Sequence, residues 1–163
     1  MTPQENDAIT RVGPGTPAGE MLRRYWWPVW FTEQLKDKPV PVRLLGEDLI
    51  LFRDGQGRPG LLDRRCPHRG ASLELGRCEA QGLRCCYHGW LFDVAGKCLE
   101  QPAEPPGSKL KDGVRQKAYV VRDVSGFVFA YMGPLPAPEL PRYDLLFMEN
   151  VHRTVWEIGR AHV

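Results

Sequence analysis

Two short stretches of the chain each carry one cysteine and one histidine. The first reads Cys66-x-His68 and the second reads Cys85-x-x-His88, with residues 69–84 between them. Thiolates and imidazoles are both common ligands of transition metals in proteins. Two loops that each bring one thiolate and one imidazole can close around a metal centre between their tips. The four residues therefore indicate a metal site with a Cys2His2 ligand set.

A glycine follows each histidine, Gly70 in the first stretch and Gly89 in the second. Glycine lets loop backbone approach a ligand closely and direct its N–H groups toward it. Zinc is an alternative occupant, but zinc modules usually pair their ligands as C-x2–4-C and H-x3–5-H. Structural cysteines and a hydrogen-bonded core histidine would explain any one of the four residues. They do not explain four at this spacing, so the pattern favours a metal centre.

The motifs Cys-Pro-His-Arg-Gly at 66–70 and Cys-Cys-Tyr-His-Gly-Trp at 85–90 resemble the central motif of the Rieske iron–sulfur family. In a Rieske [2Fe–2S] centre, two thiolates bind one iron and two imidazoles bind the other. The resemblance implies that Cys66 and Cys85 hold one iron. It implies that His68 and His88 hold the second. It also implies a mainly β fold of small antiparallel sheets, sandwich-like, with two cluster-binding loops and a short N-terminal helix.

The sequence before these motifs narrows the resemblance to one branch. Residues 15–20 (Gly-Thr-Pro-Ala-Gly-Glu) and 23–26 (Arg-Arg-Tyr-Trp) are similar to segments of the phthalate 4,5-dioxygenase-like Rieske oxygenases. This branch implies the oxygenase (alpha) subunit of an aromatic-ring-hydroxylating enzyme, which forms a homotrimer. It implies a flavin or ferredoxin-type reductase as electron donor and an aromatic acid or ether as substrate. The alternative is a free-standing Rieske-type ferredoxin, which carries electrons and is not an enzyme.

The family continues into a catalytic domain in which two histidines and a carboxylate hold a mononuclear Fe(II). Outside the two motifs, this chain has only His152 and His162, and no aspartate follows Asp144. The mononuclear Fe(II) is therefore expected only in a catalytic domain that this chain lacks. We expect the chain to be an N-terminal Rieske-domain fragment that accepts electrons but does not oxygenate a substrate.

Two positions beside the ligands differ from those of the respiratory and photosynthetic Rieske proteins. Those proteins carry one further cysteine in each loop, and the two form a disulfide. Here Ala71 stands at the first of these positions, which leaves Cys86 without that partner, and Trp90 replaces a hydroxyl residue after the second His-Gly. Fewer hydrogen bonds to the cluster sulfurs lower the reduction potential. We expect a potential near the low end of the Rieske range, about −150 mV.

The composition is that of an ordinary globular domain. The chain has 163 residues, 42% hydrophobic and 26% charged, with a net charge of +2. Nothing in these values indicates a nucleic-acid or membrane partner. No apolar run approaches the ~20 residues that cross a bilayer, and no secretory signal is visible. Because two of the five cysteines are assigned to the metal site, a disulfide framework is not expected and the predicted location is cytoplasmic.

The chain divides into three predicted parts. Residues 1–35 are expected to form an N-terminal tail and helix, and residues 36–133 the Rieske domain, with many short strands and glycine turns. Residues 134–163 are expected to be a linker toward the missing catalytic domain. We hypothesise that residues 157–163 are not native, because a common sequencing-adapter sequence would encode them.

The N-terminal part is predicted to begin with a polar, mobile tail that extends to about Gly15. A helix should follow, with Thr16 as its N-cap and Pro17 at its first position. It should continue to Trp27, because a residue before proline leaves the helical region and Pro28 comes next. Its aromatic residues are expected to pack against the domain.

Five arginines flank or separate the two motifs: Arg64, Arg65, Arg69, Arg77 and Arg84. One interpretation is that they pair with the acidic neighbours Asp63, Glu74 and Glu79. The other is that they form a docking surface for an acidic electron donor, because charge complementarity speeds association. Both interpretations remain open at the level of sequence.

Overall fold

The computed structural model describes residues 1–152 and residue 154, and β-strands form most of it. The ten strands are β1 Trp26–Phe31, β2 Val40–Leu44, β3 Glu47–Arg53, β4 Pro59–Asp63, β5 Arg77–Glu79, β6 Gly82–Arg84, β7 Leu91–Phe92, β8 Cys98–Glu100, β9 Ala118–Val124 and β10 Phe127–Tyr131. They form a six-stranded sheet in the order β1-β10-β9-β4-β3-β2 and a four-stranded sheet in the order β5-β6-β7-β8. All described pairings are antiparallel. The predicted mainly β fold of small antiparallel sheets is confirmed.

Helices are few and short in the described part of the chain. The α-helices are α1 Pro3–Thr10, α2 Pro17–Leu22 and α3 Asp144–Phe147, and the 3-10 helices are Thr32–Gln34, Leu73–Leu75 and Leu110–Gly113. Among the residues described, no helix has both the length and the apolar character that crossing a membrane requires.

The first residues of the chain form a helix, so the predicted mobile tail is wrong for residues 3–10. The Thr2 hydroxyl accepts a hydrogen bond from the N–H of Glu5, and the Glu5 carboxylate accepts one from the N–H of Thr2. This reciprocal capping box satisfies two backbone donors that would otherwise lack partners. Pro3 occupies the first helical position, where its missing N–H costs nothing.

The start of α2 is confirmed, but its predicted end is wrong. Thr16 is the N-cap, and its hydroxyl accepts a hydrogen bond from the N–H of Gly19 at 3.2 Å. The helix ends at Leu22, five residues before the predicted end at Trp27. The residues that follow join the sheet instead, because aromatic side chains suit a pleated surface and β10 offers an edge to pair with.

Strand β1 therefore contains the tryptophans that were predicted to lie in the helix. Trp26 pairs with Tyr131 and Trp27 with Ala130, and the rings of Trp26 and Tyr131 lie 5.5 Å apart. The expectation that these aromatic residues pack against the domain is confirmed. The predicted division of the chain at residue 35 is not tested, although β1 is hydrogen-bonded to β10.

Strand β3 is buried on both faces and separates two groups of core side chains. Leu49 and Leu51 pack on one face with residues from β4, β9 and β10. Ile50 and Phe52 pack on the other face, in the group that contains both motif cysteines. Because successive side chains of a strand point to opposite faces, the apolar run at residues 49–52 serves both groups. The core thus reaches directly beneath the metal-binding motifs.

The segment after β10 contains neither helix nor strand until α3. Its predicted role as a linker, over residues 134–163, stays a prediction. The proposed non-native stretch at residues 157–163 and His162 lie outside the described residues.

Candidate metal centre

The first of the two loops that carry the predicted ligands, residues 66–71 and here called the first ligand loop, closes shortly after β4. The N–H of Cys66 donates to the carbonyl of Ala71 at 2.9 Å, and the N–H of Gly70 donates to the carbonyl of Cys66 at 2.9 Å. Gly70 has a φ of 69°, a left-handed conformation that glycine adopts without strain. An antiparallel bridge between Arg65 and Ser72 joins the two ends of the loop. The loop is a short turn fixed by its own backbone.

The second ligand loop, residues 85–90, repeats this pattern between β6 and β7. The N–H of Cys85 donates to the carbonyl of Trp90 at 2.9 Å, and the N–H of Gly89 donates to the carbonyl of Cys85 at 3.1 Å. Gly89 has a φ of 74°, and the Pro102 ring lies 3.1 Å from the point where a Cβ would be. The two loops are equivalent in backbone geometry, with a cysteine at the first position and a glycine at the fifth.

The two motif cysteines lie together at the base of the loops. Cys66 and Cys85 are each 3% exposed and belong to the same core group. Burial raises the pKa of the Cys66 thiol to about 11, and Cys85 acts in the same direction. The N–H groups of His68 and Arg69 point at the Cys66 sulfur and lower its pKa in part. A bound cation would favour the thiolate form.

The two motif histidines form a second pair. The rings of His68 and His88 are 4.6 Å apart, with an angle of 64° between their planes, and both are half-buried. Desolvation lowers the pKa of His68, and the charges of His88 and Arg69 lower it further. The neutral imidazole, which is the metal-binding form, is therefore favoured.

An aromatic ring flanks each imidazole. The Trp90 ring stacks on His68, with centroids 4.4 Å apart and planes 5° from parallel. The Tyr87 ring lies 3.9 Å from that of His88. Trp90 also contacts Phe92 in the core, at 6.4 Å between centroids. The positions of Tyr87 and Trp90 beside the imidazoles were not predicted from the sequence, although both residues lie inside the second motif.

The four predicted residues thus come together as a buried thiol pair and a half-buried imidazole pair. Within the described part of the chain, no three His, Cys, Asp or Glu side chains converge as around a single metal ion. The donor set of the two pairs, two sulfurs and two nitrogens on two equivalent loops, fits a Rieske [2Fe–2S] cluster, in which each pair belongs to a different iron.

The ion-pair interpretation of the flanking arginines is confirmed for three of them. Arg64 pairs with Glu74 at 2.8 Å, and both Arg77 and Arg84 pair with Glu79. The hydrogen bond from Arg84, aided by Arg77, lowers the pKa of Glu79 to about 2. These three guanidinium groups are paired with neighbouring carboxylates, as the first of the two interpretations of the flanking arginines predicted.

The other two arginines differ. Asp63 accepts a hydrogen bond from the backbone N–H of Arg65 and not from its guanidinium, so the predicted pairing of Asp63 with an arginine side chain is wrong. Arg69 is exposed, and none of the ion pairs between described residues includes it. A docking role for Arg69 stays a prediction.

The three remaining cysteines differ in burial. Cys98 is buried in the same core group as the motif cysteines, and Cys78 packs against that group. Cys86 is exposed in the second ligand loop. All five cysteines, which lie in the described part of the chain, are free thiols.

Comparison with known proteins agrees with this geometry. Residues 25–131 match the Rieske [2Fe-2S] domain. The chain is 52% identical over 159 residues to the 5,5'-dehydrodivanillate O-demethylase oxygenase subunit of Sphingobium sp. (strain NBRC 103272 / SYK-6), covering 95% of this chain and 38% of that protein. It is 57% identical over 139 residues to phenoxybenzoate dioxygenase subunit alpha of Ectopseudomonas oleovorans, covering 85% and 34%. It is 48% identical over 140 residues to the phthalate 4,5-dioxygenase oxygenase subunit of Pseudomonas putida, covering 84% and 32%.

Solved structures show the same likeness. Apo dicamba monooxygenase superimposes with a TM-score of 0.69 at 25% identity, over 78% of this chain and 39% of that one. NdmA of Pseudomonas putida CBB5 with caffeine gives 0.63 at 30% identity, over 69% and 34%. The chain spans about a third of the length of the curated relatives it matches. The family match, these likenesses and the paired ligand loops lead to one conclusion: the chain belongs to the Rieske [2Fe-2S] domain family.

Proposed function

We propose that this chain is the electron-transfer domain of an aromatic-ring-hydroxylating oxygenase of the phthalate 4,5-dioxygenase-like branch. The observation that carries the proposal is the similarity to oxygenase subunits over 84–95% of the chain. The names of these relatives include the aromatic compounds dehydrodivanillate, phenoxybenzoate and phthalate. An aromatic acid or ether is accordingly the proposed substrate class of the whole enzyme.

Cys66, His68, Cys85 and His88 are the proposed cluster ligands. When bound, a Rieske [2Fe–2S] cluster takes up and releases single electrons. Both cysteine side chains are almost inaccessible to solvent, which keeps water away from the sulfurs. The imidazoles are half-buried, so their outer edges face the surface where a partner would approach. The chain thus presents its nitrogen ligands outward and its sulfur ligands inward.

The aromatic neighbours of the imidazoles have a supporting role in this proposal. The parallel stack of Trp90 on His68 restricts rotation of that ring, and Trp90 is itself held by the core. Residues that orient a metal ligand tune the centre without touching the metal. Trp90 therefore fixes the ring plane of His68, and Tyr87 limits the freedom of His88.

In the whole protein, a flavin or ferredoxin-type reductase would supply electrons to this domain. Their destination would be a mononuclear Fe(II) held by two histidines and a carboxylate in a catalytic domain. The proposed assembly is a homotrimer in the cytoplasm, where free cysteines persist. Exposed Arg69, beside the ligand His68, is the proposed contact for an acidic donor.

The coding sequence that follows residue 156 in the genome tests the proposal. An open reading frame that continues into a domain with two histidines and a carboxylate at one site would support it. A stop codon near that point would favour the free-standing ferredoxin instead. In a second test, the chain reconstituted with iron and sulfide should be reduced by dithionite and reoxidised by air without loss of its visible spectrum. A colourless or irreversibly bleached chain would contradict the electron-transfer role.

A further inference from the structure

An arginine precedes the cysteine in both ligand loops and reaches across the loop. Nη1 of Arg65 donates to the carbonyl of Gly70 at 3.3 Å. Nη1 of Arg84 donates to the carbonyl of Gly89 at 2.6 Å. In each loop the contacted carbonyl belongs to the left-handed glycine that follows the histidine. The same residue type therefore closes both loops at the same position.

The two arginines differ in what holds them. Arg84 is 18% exposed, and its Nε and Nη2 each donate to the Glu79 carboxylate at 2.8 Å. Its Nη2 also donates to Glu100 at 2.7 Å. Arg65 is exposed, and no ion pair between described residues includes it. The Arg84 guanidinium thus donates to two carboxylates besides the loop carbonyl, whereas the Arg65 guanidinium makes one hydrogen bond of 3.3 Å.

The carboxylates that hold Arg84 come from opposite edges of the four-stranded sheet. Glu79 lies on the edge strand β5 and Glu100 on the edge strand β8, while Arg84 lies on β6. The Arg84 guanidinium therefore links side chains from both edge strands to the loop between β6 and β7. A planar guanidinium with five donors can serve three acceptors at once, whereas a lysine ammonium cannot match this geometry.

Packing at the glycine also differs between the two loops. Pro102, two residues after Glu100, packs against Gly89 on the second loop. A Cβ added at Gly70 in the first loop would meet no atom within 4 Å. No disulfide joins the loops, because all five cysteines of the described chain are free. Charge-assisted hydrogen bonds are therefore the strongest side-chain interactions found at the second loop.

We propose that Arg84 is the positioning residue of the second ligand loop. Held by Glu79 and Glu100, it fixes the Gly89 carbonyl and thereby the placement of Cys85 and His88. The first loop depends much less on its own arginine, because Gln116 holds its base through the carbonyls of Asp63 and Arg65 and the Arg65 side chain is exposed. This inference rests on the proposed role of the two loops as cluster ligands.

The test compares the same substitution at equivalent positions of the two loops. Arg84→Gln and Arg65→Gln are reconstituted with iron and sulfide, and loss of the visible spectrum to an excess of chelator is timed. Arg84→Gln should lose its cluster about tenfold faster than the wild type, because a hydrogen-bond network to a charged group is removed. Its reduced EPR spectrum should broaden, because the ligands of the second loop then occupy several positions. Arg65→Gln should stay within about twofold of the wild type, as for an exposed contact.

Two further variants separate positioning from charge. Arg84→Lys keeps the positive charge but not the planar guanidinium. Its rate of cluster loss and its EPR line width should therefore resemble those of Arg84→Gln. Arg77→Gln removes the other arginine on Glu79 without touching the loop, and its spectrum should be that of the wild type. Wild-type behaviour of Arg84→Lys, or equal effects of Arg65→Gln and Arg84→Gln, would overturn the inference.

A milder variant keeps the proposal testable if Arg84→Gln does not fold. Glu100→Gln removes one ionic contact of Arg84 and leaves the other in place. It should speed cluster loss about threefold, since Glu100 is half-exposed, and a rate equal to that of the wild type would refute the positioning role. Failure of the wild-type chain itself to assemble a cluster would refute the proposed function instead, so the two failures are distinguishable.

Discussion

Replacement of Glu47 by alanine should destabilise the fold strongly, because this carboxylate joins three parts of it. Glu47 is buried at the start of β3, and it accepts hydrogen bonds from Arg23, Lys117 and Tyr119. Arg23 caps the end of α2 and also donates to the carbonyl of Leu45 at 2.9 Å. The carboxylate thus connects the N-terminal helix with β3 and with the β9 segment that runs beside the first ligand loop.

The size of the effect follows from burial. The Arg23 side chain is only 6% exposed, so loss of Glu47 would leave its charge buried and without its main partner. Breaking a buried ion pair on one side typically costs about 3–5 kcal/mol. We expect Glu47→Ala to lower the free energy of unfolding by about 3 kcal/mol. Asp48→Ala is the matched control, because its pair with Arg43 is exposed and should contribute less than about 1 kcal/mol.

The same carboxylate should make stability depend on acid pH. Burial alone raises the pKa of Glu47, but the hydrogen bonds from Lys117, Tyr119 and Arg23 outweigh it, and the net pKa is lowered from 4.5. A lowered pKa in the folded state gives stability that is complete above the unfolded value and is lost as pH falls through the folded one. Glu47→Gln should therefore weaken the loss of stability on acidification below about pH 4.5.

Urea unfolding followed by tryptophan fluorescence measures both effects, at neutral pH and at about pH 4. A loss below about 1 kcal/mol in Glu47→Ala would refute the reasoning, because it would place Glu47 among the exposed pairs. An acid dependence of Glu47→Gln equal to that of the wild type would refute the pKa assignment.

Three further predictions concern the surface, the potential and two glycines. Arg69→Gln should reduce the salt dependence of reduction by an acidic reductase, measured by stopped flow, while Arg43→Gln, whose charge is paired with Asp48, should leave it nearly unchanged. The reduction potential, measured by protein-film voltammetry, should lie near about −150 mV, and a value well above zero would contradict the expectation from Trp90. Gly82→Ala should prevent folding or cost more than about 3 kcal/mol in thermal unfolding, because its Cβ would lie 1.9 Å from the carbonyl oxygen of Phe92. Gly57→Ala, which meets no atom within 4 Å but keeps φ at 80°, should cost about 1 kcal/mol.

The parts of the fold that local chemistry determines could be predicted from the sequence. The N-cap Thr16 was placed correctly and the many short strands of the domain were expected, because capping and turn-separated strands are local signals. The ligand loops were recognisable for the same reason, since each contains its ligands and its glycine within a few residues. The helix at Pro3–Thr10 was missed although its capping box, Thr2 to Glu5, is also local.

The errors arose where partners distant in sequence decide the structure. Whether Trp26 and Trp27 continue a helix or enter a strand depends on β10, about a hundred residues later. The role of Arg84 depends on hairpins that bring Glu79 and Glu100 to one guanidinium. No spacing rule brings Glu100 to Arg84, so the sequence suggested only that the flanking arginines pair with the nearby acidic residues Asp63, Glu74 and Glu79. The one signal in the sequence that could have indicated this role is the arginine directly before each motif cysteine.

The most direct test of the central claim is electron–nuclear hyperfine spectroscopy on the reduced, reconstituted chain. The ligand assignment predicts couplings from two imidazole nitrogens, because His68 and His88 bind the same iron. Each single replacement by alanine, at His68 or at His88, should remove one of the two couplings or the cluster itself. A [2Fe–2S] spectrum with no imidazole coupling in the wild-type chain would contradict the account, because it would mean that sulfur ligands alone hold both irons.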